Sequence, residues 1–211
     1  MSNFFNIFKL GITGGIGSGK TYIARKLSMY GINVIDTDII SNKINSEIVS
    51  CKKLIKKNFG NKYLLKNGFI NKNLIRNLIF SNLVYKNKIE KILHPLILIS
   101  SKTKSRFING PYLILVIPLF KQRNFCELLI DRLCIIDCDN LTQLFRLKLR
   151  KDSSAIYKKI ILQQFSRKMR LSYSNDIIYN GYNILIKEIR FYIKKKHEKW
   201  KNFSYNNMRL N

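Results

Sequence analysis

Acidic residues are few in this chain of 211: Asp and Glu total 12, against 39 Lys and Arg. Proline is scarcer still, at three, and the ten glycines follow no period, so a collagen-like fibre and a low-complexity disordered tail are both excluded. The four cysteines, Cys51, Cys126, Cys134 and Cys138, form no C-x-x-C pair, and only His94 and His197 could supplement them. A disulfide-stapled miniprotein and a structural zinc site are therefore not expected, and reduced, partly buried thiols are. Apolar runs stay short of the roughly 18 residues that a membrane helix needs. The start, MSNFFNIFKLGITGG, lacks a basic opening, a long apolar stretch and a small-residue cleavage site. It reads as no secretory signal, with a cytoplasmic protein and no membrane partner expected.

What is present is a core and a large positive charge. Hydrophobic residues make up 46% of the chain, enough at this length to bury a real interior. The formal net charge is +27, which invites a nucleic-acid reading. Yet the chain holds 28 Lys, 33 Ile and 23 Asn, residues with A- and T-rich codons, and the lysines are spread along its whole length. Drift in an AT-rich genome accounts for this pattern without a selected polyanion surface, and no specific nucleic-acid partner is expected. In either case the field favours phosphorylated ligands.

Phe4 to Thr13 reads as an apolar strand running into a glycine-rich loop. Tyr22 to Tyr30 then carries apolar residues at helical spacing, and Gly31 ends that helix. Ile32 to Ile35 is a second strand, ending at Asp36-Thr37-Asp38. This order opens a parallel α/β sheet. From Ile39 to Phe107 the pattern is helical and basic, a lobe inserted after the second strand. Asn109-Gly110-Pro111 marks the return to the sheet. Strands follow at Tyr112–Ile117, Leu133–Ile136 and Asp176–Tyr179, the first of them continuously apolar as a buried parallel strand should be. Gln143 to Arg170 is helical with a break near Asp152-Ser153-Ser154. Ile184 to Trp200 is a closing amphipathic helix, followed by a frayed basic tail. One domain over 1–205 results, with core 1–38, 108–140 and 173–205, helical lobe 39–107, lid 141–172 and tail 206–211.

Gly14 to Thr21 fits G-x-x-x-x-G-K-[ST], the phosphate-binding loop, and lies between an expected strand and an expected helix. Glycines let backbone N–H groups curl around phosphate oxygens, and the helix start adds its positive end. Gly15, Ile16, Gly17, Ser18, Gly19, Lys20, Thr21 and Tyr22 form the expected ATP contact set. Lys20 supplies a mobile cation for the β- and γ-phosphates, and the Thr21 hydroxyl is placed to ligate Mg²⁺. Asp36 and Asp38 follow the second strand, at the end of an open sheet that faces the ligand crevice. Two residues apart on an extended segment, both carboxylates would point one way. One would serve as base to an acceptor hydroxyl and the other would place Mg²⁺; Asp38 is also a candidate cap for the next helix. Asp38, further from the strand, is the better base, and Asp36 the better metal ligand. Arg146 and Arg150, four apart on one helix face, are candidates to neutralise a moving phosphoryl group. Arg167 and Arg170 follow. Asn180-Gly181 reads as a turn.

The run Leu10-Gly-Ile-Thr-Gly-Gly-Ile-Gly-Ser-Gly-Lys-Thr21 with Gly31-Ile-Asn-Val-Ile-Asp-Thr-Asp38 resembles the dephospho-coenzyme A kinase family. The likeness continues in order through Asn58-Phe-Gly60, Asn67-Gly68, Leu74-Ile-Arg76, Leu93-His-Pro-Leu-Ile97 and Ile117-Pro-Leu119. It ends with Gln143-Leu-Phe-Arg146, Gln164, Arg167, Ile177-Ile178 and Asn180. The resemblance implies a nucleoside-kinase-like sheet with a helical acceptor lobe and a mobile lid. It also implies transfer of the ATP γ-phosphoryl, with Mg²⁺, to the ribose 3′-hydroxyl of dephospho-coenzyme A. Arg76 and His94 would then contact the acceptor, and a monomer is expected. Departures from the family pattern are Gln122 for an acidic residue, Arg150-Lys151-Asp152 for Arg-Asp, Ser174-Asn175 for Ala-Asp, and Tyr22 for a second Ser/Thr. The alternatives are another P-loop small-molecule or nucleotide kinase and, in a different class, a nucleic-acid-stimulated P-loop ATPase. The third strand, ending without a Walker B acid, argues against a P-loop switch.

Overall fold

The computed structural model describes residues 7–117, 128–149, 161, 164–181 and 186–209. Five strands form one parallel sheet: β1 Lys9–Gly14, β2 Asn33–Asp36, β3 Leu113–Val116, β4 Arg132–Asp137 and β5 Asp176–Tyr179. Their order is β2-β3-β1-β4-β5. Gly11 pairs with Leu115 on one side and Leu133 on the other, which puts β1 at the centre. The chain builds β2 and β3 to one side of β1, then crosses to β4 and β5. That reversal opens a crevice at the carboxyl ends of the strands around β1.

Both sheet faces are covered, as continuous apolar strands require. On one face Leu10, Ile12, Ile114 and Ile178 pack with Ile23 and Leu27 of α1 (Lys20–Ser28) and with Ile189, Ile193 and Trp200 of the closing helix. On the other, Leu133, Ile135 and Ile117 pack against Ile130, Phe165, Leu171 and Tyr173. Each such fully buried aliphatic side chain contributes about 1.5–3 kcal/mol. The second strand begins at Asn33 and includes Asp36, and the first helix starts at Lys20, two residues before the apolar spacing announces it. Expected strand residues before Ile7 lie outside the described residues.

The chain divides into two units, Met1–Asp36 with Lys104–Asn211, and Thr37–Thr103. The second holds α2 Thr37–Glu47, α3 Val49–Phe59, α4 Lys72–Ser81 and α5 Leu83–Ser105. Its interior is aliphatic, with Ile40, Ile44, Ile55, Ile70 and Ile89 buried. A lone antiparallel bridge, Leu64 to Ile70, brackets the Asn67-Gly68 turn, where Gly68 has φ 77°. Pro95 lies inside α5.

Two expectations are corrected. The helical stretch Gln143–Arg170 contains α6 Asn140–Lys148 and α7 Arg167–Ser172, separated by non-helical residues 164–166; its expected break at Asp152 falls outside the described residues. The closing helix, α8, runs Ile186–Arg209, well past Trp200, so residues 206–209 are helix and not tail. Its buried row passes from Ile189 and Ile193 through His197 and Trp200 to Ser204. The last step is polar, which is why apolar periodicity alone ends the helix too early. His197 Nδ1 lies 2.9 Å from the hydroxyl of fully buried Tyr112, anchoring α8 beneath the sheet.

Candidate active site

Between β1 and α1 the chain turns through the glycine loop at the crevice. Gly17 (φ 77°) and Gly19 (φ 93°) are left-handed, a conformation cheap only for glycine. Gly19 caps α1 with no side-chain hydrogen bond. The amides of Gly17, Gly19 and Thr21 donate to no described residue, and the buried Ser18 hydroxyl finds no partner there either. Open donors at the positive end of a helix fit an anionic ligand, and the loop residues therefore fit a polyphosphate.

The loop carbonyls, by contrast, are held. Lys20 Nζ donates to Gly14 O at 2.8 Å and Gly15 O at 3.1 Å. Gln143 Nε2 donates to Ile16 O at 3.0 Å, and Ile16 N donates to Gln164 Oε1 at 3.2 Å. Arg146 Nη1 reaches Gly17 O at 3.4 Å and Ser18 O at 3.3 Å. Asn180 Nδ2 donates to Ser18 O at 2.8 Å. The structure thus brings Arg146 to the loop. Arg150 lies outside the described residues.

Asp36 is the last residue of β2, and Thr37 already begins α2 with Asp38 in its first turn. The expected extended Asp36–Asp38 segment is therefore corrected. A strand-to-helix joint separates the two carboxylates, and their common direction does not follow from strand geometry. Asp38 is inside the helix and not at a cap. Thr21 stands in the first turn of α1. Tyr22 is partly exposed, with the Lys26 ammonium 5.7 Å from its ring centroid. Arg76 falls in α4, with its side chain outside what is described; His94 is half-buried in α5 beside Pro95.

Sequence reasoning missed a second acidic pair. Asp137-Cys138-Asp139 ends β4 as Asp36-Thr37-Asp38 ends β2, and that repeated Asp-x-Asp was a legible signal. Buried Asp137 takes Arg167 in a fork: Nε lies 3.0 Å from both carboxylate oxygens and Nη2 2.6 Å from Oδ2. Asp139 caps α6 by accepting from Thr142 N at 2.7 Å and its hydroxyl at 2.6 Å. Those Thr142 bonds, with one from Tyr179, hold its carboxyl down at about 2. The cap orients the helix that carries Gln143 and Arg146. Gln143, Gln164 and Asn180 were visible only as matches to a pattern, since their partners lie more than 120 residues away in sequence.

A central parallel strand, a glycine loop with open amides and a capped helix returning an arginine to that loop define a P-loop kinase, which uses ATP. Residues 8–185 match the family model described as dephospho-CoA kinase, and the chain belongs to that family. It is 40% identical over 191 residues to the dephospho-CoA kinase of Colwellia psychrerythraea, covering 89% of this chain and 94% of the relative. It is 38% identical over 181 residues to that of Coxiella burnetii, covering 85% and 91%. Two solved structures share the fold. TT1252 from Thermus thermophilus has a TM-score of 0.77 at 19% identity, with 91% of this chain and 96% of that one covered. Dephospho-CoA kinase from Campylobacter jejuni has a TM-score of 0.65 at 21% identity, with 94% and 98% covered.

Proposed function

We propose that this chain phosphorylates the ribose 3′-hydroxyl of dephospho-coenzyme A with ATP, the last step of coenzyme A synthesis. The observation that carries the reading is the glycine loop, whose Gly17, Gly19 and Thr21 amides donate to no described residue at the N-terminus of α1, in a chain of this family. The 3′-oxygen attacks the γ-phosphorus, the bond to the β,γ-bridging oxygen breaks, and ADP leaves. Asp38 receives the hydroxyl proton. Lys20 and Arg146 meet the charge spreading over the transferred group. The Thr21 hydroxyl and the Asp36 carboxylate have the hard oxygen donors that suit Mg²⁺. A Mg²⁺ held there would supply charge neutralisation to the phosphates. The helical unit receives the acceptor, with Arg76 and His94 as contacts. That unit has an open cavity of about 480 Å³, with Asn45, Leu65, Phe69 and Asn71 in its lining. Carboxamides beside apolar side chains suit the amide-bearing arm of the acceptor. The region 141–172 closes over the phosphates, and the enzyme works as a cytoplasmic monomer.

A coupled assay of ADP release tests this. Dephospho-coenzyme A should stimulate release and gain one phosphate at the 3′ position. Stimulation by a nucleoside monophosphate or by DNA, with none by dephospho-coenzyme A, would overturn the reading.

A further inference from the structure

We infer that Gln143 is a positioning residue for the phosphate loop: its carboxamide, together with those of Gln164 and Asn180, fixes the loop's peptides so that their carbonyls are occupied and the amides of Gly17, Gly19 and Thr21 are left for ATP. Ile16 is gripped on both sides of its residue, its carbonyl by Gln143 and its amide by Gln164. The two glutamines come from opposite ends of the 143–164 stretch, so both ends of that stretch meet on one loop residue. Asn180, buried at the end of β5, holds the Ser18 carbonyl in the same way. Each carbonyl that a side chain occupies is one that cannot turn toward an anion.

The geometry also explains a glycine. A Cβ at Gly15 would lie 2.2 Å from Gln143 Nε2, nearer than any real contact, and 3.1 Å from Arg170 Nη2. Gly15 is not among the positive-φ glycines, so backbone strain does not demand glycine there. What a Cβ would meet there is the movable end of Gln143. Gln143 is itself buried, at 7% exposure, and an alanine at position 15 would push its amide off Ile16 O. Gly15→Ala and Gln143→Ala should therefore break the same hydrogen bond. Interactions removed twice are lost only once, so the two substitutions should not add.

The inference rests on the phosphate-loop reading and not on the identity of the acceptor, so the probe is MgATP alone, titrated calorimetrically into the full chain. Gln143→Ala should weaken binding about tenfold, the size of one lost hydrogen bond with a carbonyl left unmatched. Gly15→Ala should do the same, and the double variant should be no worse than either. Gln143→Met keeps the volume and loses the donor, and should match Gln143→Ala. The melting temperatures should stay within a few degrees of wild type, and the KM for acceptor within about twofold. Additive losses in the double variant, or wild-type ATP binding by Gln143→Met, would overturn the positioning role. A wild-type chain that binds no MgATP would overturn the phosphate-loop reading itself. Should Gly15→Ala fail to fold, the comparison of Gln143→Ala with Gln143→Met still decides.

Discussion

The Lys20 ammonium donates to the Gly14 and Gly15 carbonyls. Anionic oxygens make stronger partners for a cation, so phosphate should draw it off them. Lys20→Ala removes the cation and leaves the loop's glycines in place. Turnover should fall on the order of 10³-fold while the melting temperature moves little, because transfer depends on charge stabilisation at the phosphates. Near-normal turnover would remove the loop assignment. The Asp36 and Asp38 carboxylates separate by a different signature. Asp38→Asn keeps size and hydrogen bonding but loses basicity, and turnover should drop about 10²–10⁴-fold with ATP affinity within a few-fold. Asp36→Asn should instead raise the Mg²⁺ concentration needed for half-maximal turnover. A Mg²⁺ titration of turnover and of ATP binding on both variants distinguishes the roles; exchanged signatures would mean exchanged roles.

Among the elements, β4, β5 and α8 are tied through one carboxylate. Asp176, 1% exposed at its side chain, accepts from Arg132 at 2.6 Å, Lys196 at 2.8 Å, Lys199 at 2.9 Å and the Trp200 indole at 2.9 Å. Burial pushes its pKa up, but the bonds from Arg132, Lys196, Trp200 and Lys199 outweigh that and hold it far below the ordinary carboxylate range. A depressed folded pKa adds stability above the unfolded value of about 3.9, and that stability is lost as pH falls through the folded value. Asp176→Asn should cost about 3 kcal/mol near neutral pH, roughly 5–10 °C in melting temperature for a chain this size. The gap to wild type should narrow below about pH 4, as the Asp176 carboxyl of the unfolded chain takes up a proton that the folded one refuses. A gap unchanged down to pH 2 would show that the charge is not what matters. Neighbouring Asn175 stands where the family pattern has an acid, and its Oδ1 still accepts from Leu133 N at 2.8 Å. That departure keeps the acceptor and drops only the charge. What the sequence made legible here was local: the glycine loop, the apolar strands and the bounds of β5 come from runs of neighbours. The Asp176 cluster, the Asp137–Arg167 fork and the Gln143 contact join residues 20 to 127 positions apart, and no periodicity encodes them. The polar end of α8 was illegible for the converse reason, since burial of Ser204 follows from what it packs against and not from its own chemistry.

At the scale of the molecule, charge is the dominant feature. Matched one to one, the 12 acids would leave 27 of the 39 Lys and Arg over. Some of the acids are paired locally: Asp176 takes three cations, Asp137 takes Arg167, and Glu90 takes Lys86. Among the described residues, exposed lysines stand on α3, with Lys53, Lys56 and Lys57, and on α8, with Lys187, Lys194 and Lys195. A field of this kind raises the local concentration of any polyanion, ATP included, and is screened within about 10 Å at 0.1 M salt. It carries no means of reading bases, which needs side chains arrayed against groove edges. Binding to random duplex DNA should thus be measurable at low salt and fall steeply, by 10³-fold or more between about 50 and 200 mM if six or more phosphates are contacted. Duplexes of AT-rich and GC-rich sequence should give the same affinity at each salt concentration. Fluorescence anisotropy over a salt series makes both measurements at once. Tight binding at physiological salt that distinguishes sequences would mean that the lysines are arranged, and that codon drift does not account for them. A steep slope with no sequence preference would leave the charge as a general attraction toward phosphates, with the glycine loop as the proposed place to hold them.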